Sequence, residues 1–311
     1  MKTTRRTLLA AGTGLALSAS TAAARTTAPP LYRVHDTKAG RNLAYADLFR
    51  QLASADIVFV GEEHDDPETH VAERFLLENL HEQRGWGTRL TLAMEMFERD
   101  GQAALNDYLA GTTTEADLAR SVRLWRNYKT DYRPLVEYAK SRRVPVLGSN
   151  APGGIARDVS KEGVAAVLAK LPEAGKGYVA AFTSAPPDAY FARFCAVIGE
   201  GHGGPSLGEE AIRRFYEAQC LKDDTMAETV VQALDAGRKV FHVNGSFHSD
   251  AGLGIPARVL WRRPLTSRLA VVKVVPVRAA LKDAEPGKYR GEADFLLFVP
   301  DRRSDKPKQA P

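Results

Sequence analysis

Ile57-Val58-Phe59-Val60-Gly61-Glu62-Glu63-His64 and, far downstream, Val240-Phe241-His242-Val243-Asn244-Gly245-Ser246-Phe247-His248 share one layout. Each is a short β-branched and aromatic run closed by a glycine that stands three residues before a histidine. Such a run, bounded by a turn signal, reads as a strand buried on both faces. The glycine lets the chain turn sharply as it leaves the strand. The two segments read as equivalent devices that deliver a histidine to the same edge of a sheet.

Working outward, further strand-like runs occupy 90–94, 144–147, 178–182, 269–275 and 295–299. Between them lie stretches of helical period at 68–83, 98–109, 115–126, 134–141, 155–170 and 209–236. This alternation predicts an α/β fold, a mostly parallel central sheet with helices on both faces. The stretch 209–236 is long for one helix, and 106–141 holds no convincing strand, so both are expected to feed a smaller helical lobe.

Ligands of such sheets bind beyond the carboxyl ends of the strands, where loops and helix N-termini converge. The predicted strand ends carry Glu63 and His64, Glu95, Asn150, and Asn244 with His248. Glu95 follows Leu92-Ala93-Met94, a partly buried position in which a carboxylate needs a histidine, an arginine or a metal. Glu63 serves either this site or the cap of the following helix. His64 and His248 are the candidate metal ligands or general bases. His70 and His81, on a predicted helix, read as surface residues, and His202 sits in a glycine-rich loop. Trp125, Tyr128 and Tyr132 fit either ordinary core packing or a wall for a flat apolar ligand.

The N-terminus reads Thr3-Thr4-Arg5-Arg6-Thr7-Leu8-Leu9, then a modest apolar run, then Ala22-Ala23-Ala24. This resembles a twin-arginine signal over 1–24, predicting export to the periplasm or cell envelope as a soluble protein. No cysteine follows the run to accept a lipid. The expected layout is this signal, an α/β domain with its helical lobe over 25–300, and a disordered tail over 301–311. Removing Lys2, Arg5 and Arg6 takes the 43 basic residues to 40, against 38 acidic, which argues against a nucleic-acid partner. Cys195 and Cys220 fit neither a zinc ribbon nor a covalent haem attachment; a disulfide and two free thiols are both open.

Six segments in order, Gly61-Glu62-Glu63-His64, Ala93-Met94-Glu95-Met96-Phe97, Tyr132-Arg133-Pro134, Ser149-Asn150-Ala151-Pro152, residues 219–227 and Gly245-Ser246-Phe247-His248, resemble the ChaN family of haem-binding uptake proteins. That family belongs with the TIKI, TraB and erythromycin-esterase-like proteins. The resemblance runs from about Asp56 to Val299 and rests on the ordered set rather than on any one motif. It implies a haem-binding protein of iron or haem acquisition, with two protomers enclosing stacked haems. With the N-terminal signal this reads as an exported protein, for which a membrane haem-uptake component is a further candidate partner. Tyr132 is then the candidate axial ligand, with Tyr128 and Tyr190 open. Arg133 or Arg123 would meet the propionates, and Asn150 and Asn244 would belong to the cofactor site. The alternative, also implied by the wider superfamily, is a hydrolase. There His64 or His248 acts as base beside Glu63 or Glu95, or these groups hold a divalent metal. Whether the chain is an enzyme is left open by its residues.

Overall fold

The computed structural model describes residues 31–201, 208–264 and 268–305. Two expectations, the signal over 1–24 and the loop of His202, therefore lie outside the described residues. Eight strands form one sheet: β1 (Arg33–Asp36), β2 (Arg41–Leu43), β3 (Ile57–Glu62), β4 (Leu90–Glu98), β5 (Val146–Asn150), β6 (Lys239–Gly245), β7 (Leu269–Val277) and β8 (Phe295–Pro300). Their order is β2-β1-β8-β7-β3-β6-β4-β5. From β8 to β5 all neighbours are parallel, while β1 pairs antiparallel with β8 and forms a hairpin with β2. The fold is thus α/β with a mostly parallel sheet, as the alternation of runs predicts.

Every residue of β3 and β6 is buried, which requires cover on both faces. On one face Val58, Val60, Leu92, Met94, Phe241 and Val243 meet helices Tyr45–Ala53, Pro67–His81, Gln102–Ala110 and Arg133–Arg142. On the other, Ile57, Phe59, Ala93 and Val240 meet the C-terminal half of helix Glu209–Asp235 and helix Ile255–Arg262. The strand period of two thus assigns each side chain to a layer.

Glu209–Asp235 is one uninterrupted helix. Its N-terminal half projects past the sheet and gathers two smaller apolar clusters. Ala218 and Leu221 pack with Val159 and Val167 of helices Gly153–Glu162 and Val164–Lys170. Tyr216 and Cys220 pack with Tyr190 and Phe194 of helix Ala189–Gly201. These elements form the helical lobe. Residues 106–141 do not join it, because Tyr108, Leu118, Tyr132 and Val136 sit in the main core.

Other local expectations change for identifiable reasons. Residues 178–182 form no strand: the backbone N–H groups of Ala180 and Ala181 donate to Thr225 Oγ1 and Glu228 Oε2 of the long helix, which replaces a strand partner. The helix expected over 155–170 breaks at Gly163, whose φ of 85° disallows continuation. The hairpin β1–β2 escapes sequence reading because its strands are short and polar. The tail expected to be disordered from 301 is tied down at its start, where Arg302 N–H donates to Asp66 Oδ2 at 2.9 Å. Cys195 and Cys220 are both free thiols, and burial pushes the Cys220 thiol up to about 12.

Candidate functional site

The site forms where β3, β4 and β6 end together. β3 carries Val58, Val60 and Glu62 on one face, so its last residue, not Glu63, sends a carboxylate into the protein. Glu62 Oε1 meets His64 Nδ1 and accepts from Tyr132 Oη at 2.8 Å. Glu63 is half-buried on the loop beyond. It does not cap the next helix either, since Asp66 accepts from the N–H groups of Glu68 and Thr69.

Glu95 lies within β4 where pairing with β5 shifts between Met94 and Glu98, an irregularity of the kind that re-aims a side chain. Its Oε2 accepts the Gly245 N–H at 2.7 Å, and its Oε1 lies 3.3 Å from His248 Nε2. The other nitrogen of His248 stands 2.5 Å from Asp223 Oδ1 and 3.1 Å from the Gln219 amide nitrogen. Asp223 in turn accepts from Tyr190 Oη at 2.7 Å. Burial opposes the His248 charge, but the carboxylates of Glu95 and Asp223 outweigh it and lift the imidazole to about 10. Burial likewise opposes the Glu95 charge, yet His248 above all, with His64 and the Gly245 N–H, brings that carboxyl down to about 2.

Gly245 sets the spacing between the two halves. A Cβ there would stand 2.6 Å from His64 Nε2 and 3.6 Å from Glu95 Oε2. The bare backbone leaves room for the imidazole edge. The result is an alternating chain of carboxylates and imidazoles, Glu62, His64, Glu95, His248 and Asp223, crossing the carboxyl edge of the sheet. His64 and His248, 184 positions apart in sequence, are brought to the two sides of one glutamate.

Only part of this chain meets solvent. The His64 side chain is 44% exposed, while that of His248 is 8% exposed. His64 lies at a cavity of about 530 Å³ lined also by Asp65, Arg123, Leu124, Trp125, Arg126 and Asn127. The Trp125 ring stands edge-on to His64 with centroids 4.9 Å apart. A larger cavity of about 770 Å³ beside β5 contains none of the histidines or carboxylates of the chain just described.

The other residues named from sequence take different places. Tyr132 is fully buried beneath the site, and burial together with Glu62 holds its phenol protonated. Tyr128 and Tyr190 are buried as well. Arg133 pairs with Glu115 at 2.9 Å and is not part of the cavity lining, whereas Arg123 is. Asn150 donates to the backbone oxygen of Glu95. Asn244, wholly buried, donates to Ser249 Oγ and its Oδ1 accepts from His242 Nδ1, so both asparagines brace the strand ends.

His70 was expected at the surface and is instead buried at 3% exposure. Its Nδ1 stands 3.2 Å from Glu62 Oε2 and 3.1 Å from Glu73 Oε2. Among the described residues, Glu62, His70 and Glu73 are the group whose ligand atoms lie close enough together to hold a metal ion; the pair His64 and His248 is not in it. Burial, then the charge of Glu62, raises the Glu73 carboxyl well above its ordinary range. His81 is the other histidine of this helix, partly buried against Tyr138 Oη at 2.9 Å.

Sequence reasoning quoted Glu62, Gln219 and Asp223 only as parts of matched segments, without a role in the site, set His70 at the surface and passed over Glu73. Two signals were available. Glu62 continues the buried alternation of Val58 and Val60, and Asp223-Asp224 interrupts the apolar run of a helix between Leu221 and Met226.

Fold and site together define a parallel-sheet α/β protein with a histidine–carboxylate centre at its carboxyl edge. The chain belongs to the family described as haem-binding uptake, Tiki superfamily, ChaN, whose sequence profile matches residues 48–259. The solved structure titled "Cofacial heme binding to ChaN of Campylobacter jejuni" is similar with a TM-score of 0.63 and 17% identity, covering 86% of this chain and 96% of that one. A mutant erythromycin esterase in its open conformation is similar at a TM-score of 0.45 and 14% identity, over 82% of this chain and 79% of that one. The chloroplast protein RETICULATA-RELATED 5 of Arabidopsis thaliana is 28% identical over 271 residues, 81% of this chain. The chain spans about a third of that relative, 35% of its length.

Proposed function

We propose that this protein binds haem in the cavity beside His64, as an exported component of haem or iron acquisition. The observation that carries the reading is the state of His64. Its Nδ1 is held by Glu62, which fixes the ring, and a carboxylate behind an imidazole makes it a better ligand. Burial opposes a charge there, but Glu62 and Glu95 raise the imidazole above its ordinary range, so binding iron through Nε2 would release a proton. The imidazole is half-exposed and lines the cavity. The cavity of about 530 Å³ is within the usual range for a small-molecule site, roughly 300–1,000 Å³. Trp125 supplies an apolar wall, and Arg123 and Arg126 supply cations suited to propionates. These residues fit haem, which would bring its iron and its flat apolar face to the cavity.

In this reading His64 would hold the iron rather than Tyr132, whose hydroxyl is committed to Glu62. Export by residues 1–24, a dimer enclosing two haems and a membrane haem-uptake partner belong to the same proposal. The hydrolase reading is weaker on one point: His248 is clamped between the carboxylates of Glu95 and Asp223, with only 8% of its side chain exposed to a substrate or water.

The test is absorbance on titrating purified protein with haemin. A shifted Soret band that saturates, and that is altered in His64→Ala, supports the proposal. A spectrum indistinguishable from free haemin at stoichiometric protein removes it.

A further inference from the structure

We propose that Glu62, His70 and Glu73 form a buried binding site for a divalent first-row transition-metal ion such as Zn²⁺ or Mn²⁺, separate from the haem-facing cavity. One ligand atom from each lies within 4.8 Å of the other two. Ligands of one such cation, at about 2.0–2.2 Å each, sit within about 4.4 Å of one another, so small side-chain rotations suffice.

Orphaned polar atoms point to the ligand. Glu62 and Glu73 have fully buried side chains; Glu73 Oε1 accepts no hydrogen bond, and Glu62 Oε2 has only the His70 Nδ1 at 3.2 Å, outside hydrogen-bond geometry. A buried carboxylate oxygen left this way is costly, and a cation among the three residues would satisfy it.

The placement of His70 agrees. Its Nε2 lies 3.3 Å from the backbone oxygen of His64 and 3.6 Å from Asp131 Oδ2, which orients the ring. Its Nδ1 faces both carboxylates, which already call for a positive charge between them, and a metal ion bound there would take the place of the proton on Nδ1. The outer hydrogen bond to a backbone oxygen is the usual way of fixing a ligating imidazole.

Two carboxylates and one imidazole suit Zn²⁺ or Mn²⁺ better than Mg²⁺ or Ca²⁺, which prefer oxygen alone. Full burial leaves no route for a substrate, so the role is structural. The ion would bind the end of β3 to helix Pro67–His81 and, through Glu62, fix the ring of His64.

The test uses the full-length, haem-free protein, with metal content measured by mass spectrometry and thermal unfolding followed with and without added Zn²⁺ or Mn²⁺. The expected result is one equivalent of bound metal, a rise in Tm on adding it to chelator-treated protein, and loss of both in His70→Asn and Glu73→Gln. His81→Gln, on the same helix but outside the triad, should retain both. Metal-free protein whose Tm ignores both ions overturns the proposal, and so does metal bound equally by wild type and by Glu73→Gln. The wild-type stoichiometry and Tm response decide the matter if either variant fails to fold. No haem enters the experiment, so its outcome is independent of the haem reading.

Discussion

His248 Nε2 stands 3.3 Å from Glu95 Oε1 while its other nitrogen is held by Asp223, so one buried imidazole bridges strand β4 and the long helix of the lobe. This bridge makes stability depend on pH in two directions. His248 is raised to about 10, so its contribution is complete below its ordinary 6.5 and is lost as pH rises through 10. Glu95 is lowered to about 2, so its contribution is complete above its ordinary 4.5 and is lost as pH falls through 2. Urea midpoints should therefore peak between those two ordinary values and fall on the alkaline side. In His248→Gln the fall attributable to this imidazole should vanish; an unchanged alkaline slope would contradict the assignment.

Removing Asp223 leaves the His248 charge with half its compensation in a buried setting. Breaking a buried ion pair from one side costs about 3–5 kcal/mol. Asp223→Ala should therefore unfold at markedly lower urea, whereas Asp188→Ala, at the start of the neighbouring helix, should cost about 1 kcal/mol as a lost cap. Equal losses in the two variants would deny the bridge its special weight.

Gly245→Ala tests the spacing between His64 and Glu95. The added methyl would fall 2.6 Å from His64 Nε2, and the imidazole must yield. Overpacking of this kind costs about 1–3 kcal/mol. The protein should remain folded by circular dichroism, with its haemin titration shifted to weaker binding. An unaltered titration would mean that the Nε2 edge plays no part.

Arg123→Ala and Arg126→Ala should weaken haemin binding while leaving the Tm near that of wild type. A charge-assisted hydrogen bond contributes about 1.5–3 kcal/mol, so the loss should be on the order of 10- to 100-fold per propionate contact. Arg133→Ala, whose partner is Glu115, serves as the control and should bind haemin normally.

The sheet was legible because its parallel strands are short runs of buried apolar residues, a local signal that glycine sharpens near the ends of β3 and β6. Six of the eight strands follow from the apolar runs; β1 and β2 do not, because an edge hairpin needs little apolar character. Residues 178–182 mislead for the converse reason: Val179 and Ala180 are buried, but against a helix whose side chains accept their N–H groups. At the site, His64, Glu95 and His248 were within reach because each stands just past or near a strand end. Glu62 and Glu63 differ by one position, and only the face on which Val58 and Val60 lie tells them apart. Asp223 and His70 sit inside helices. Nothing local distinguishes a buried charge there from a solvated one until the partner across the fold is known.

The carboxylate of Asp66 has a double attachment with a practical side. One oxygen opens the helix that carries His70, and the other holds the backbone of Arg302. Trimming the polypeptide after Pro300, or fusing a bulky reporter close behind Arg303, would tug at the same anchor from which that helix starts. Engineered versions of this protein should therefore leave the segment through Arg303 intact and separate any appendage from it by a flexible spacer.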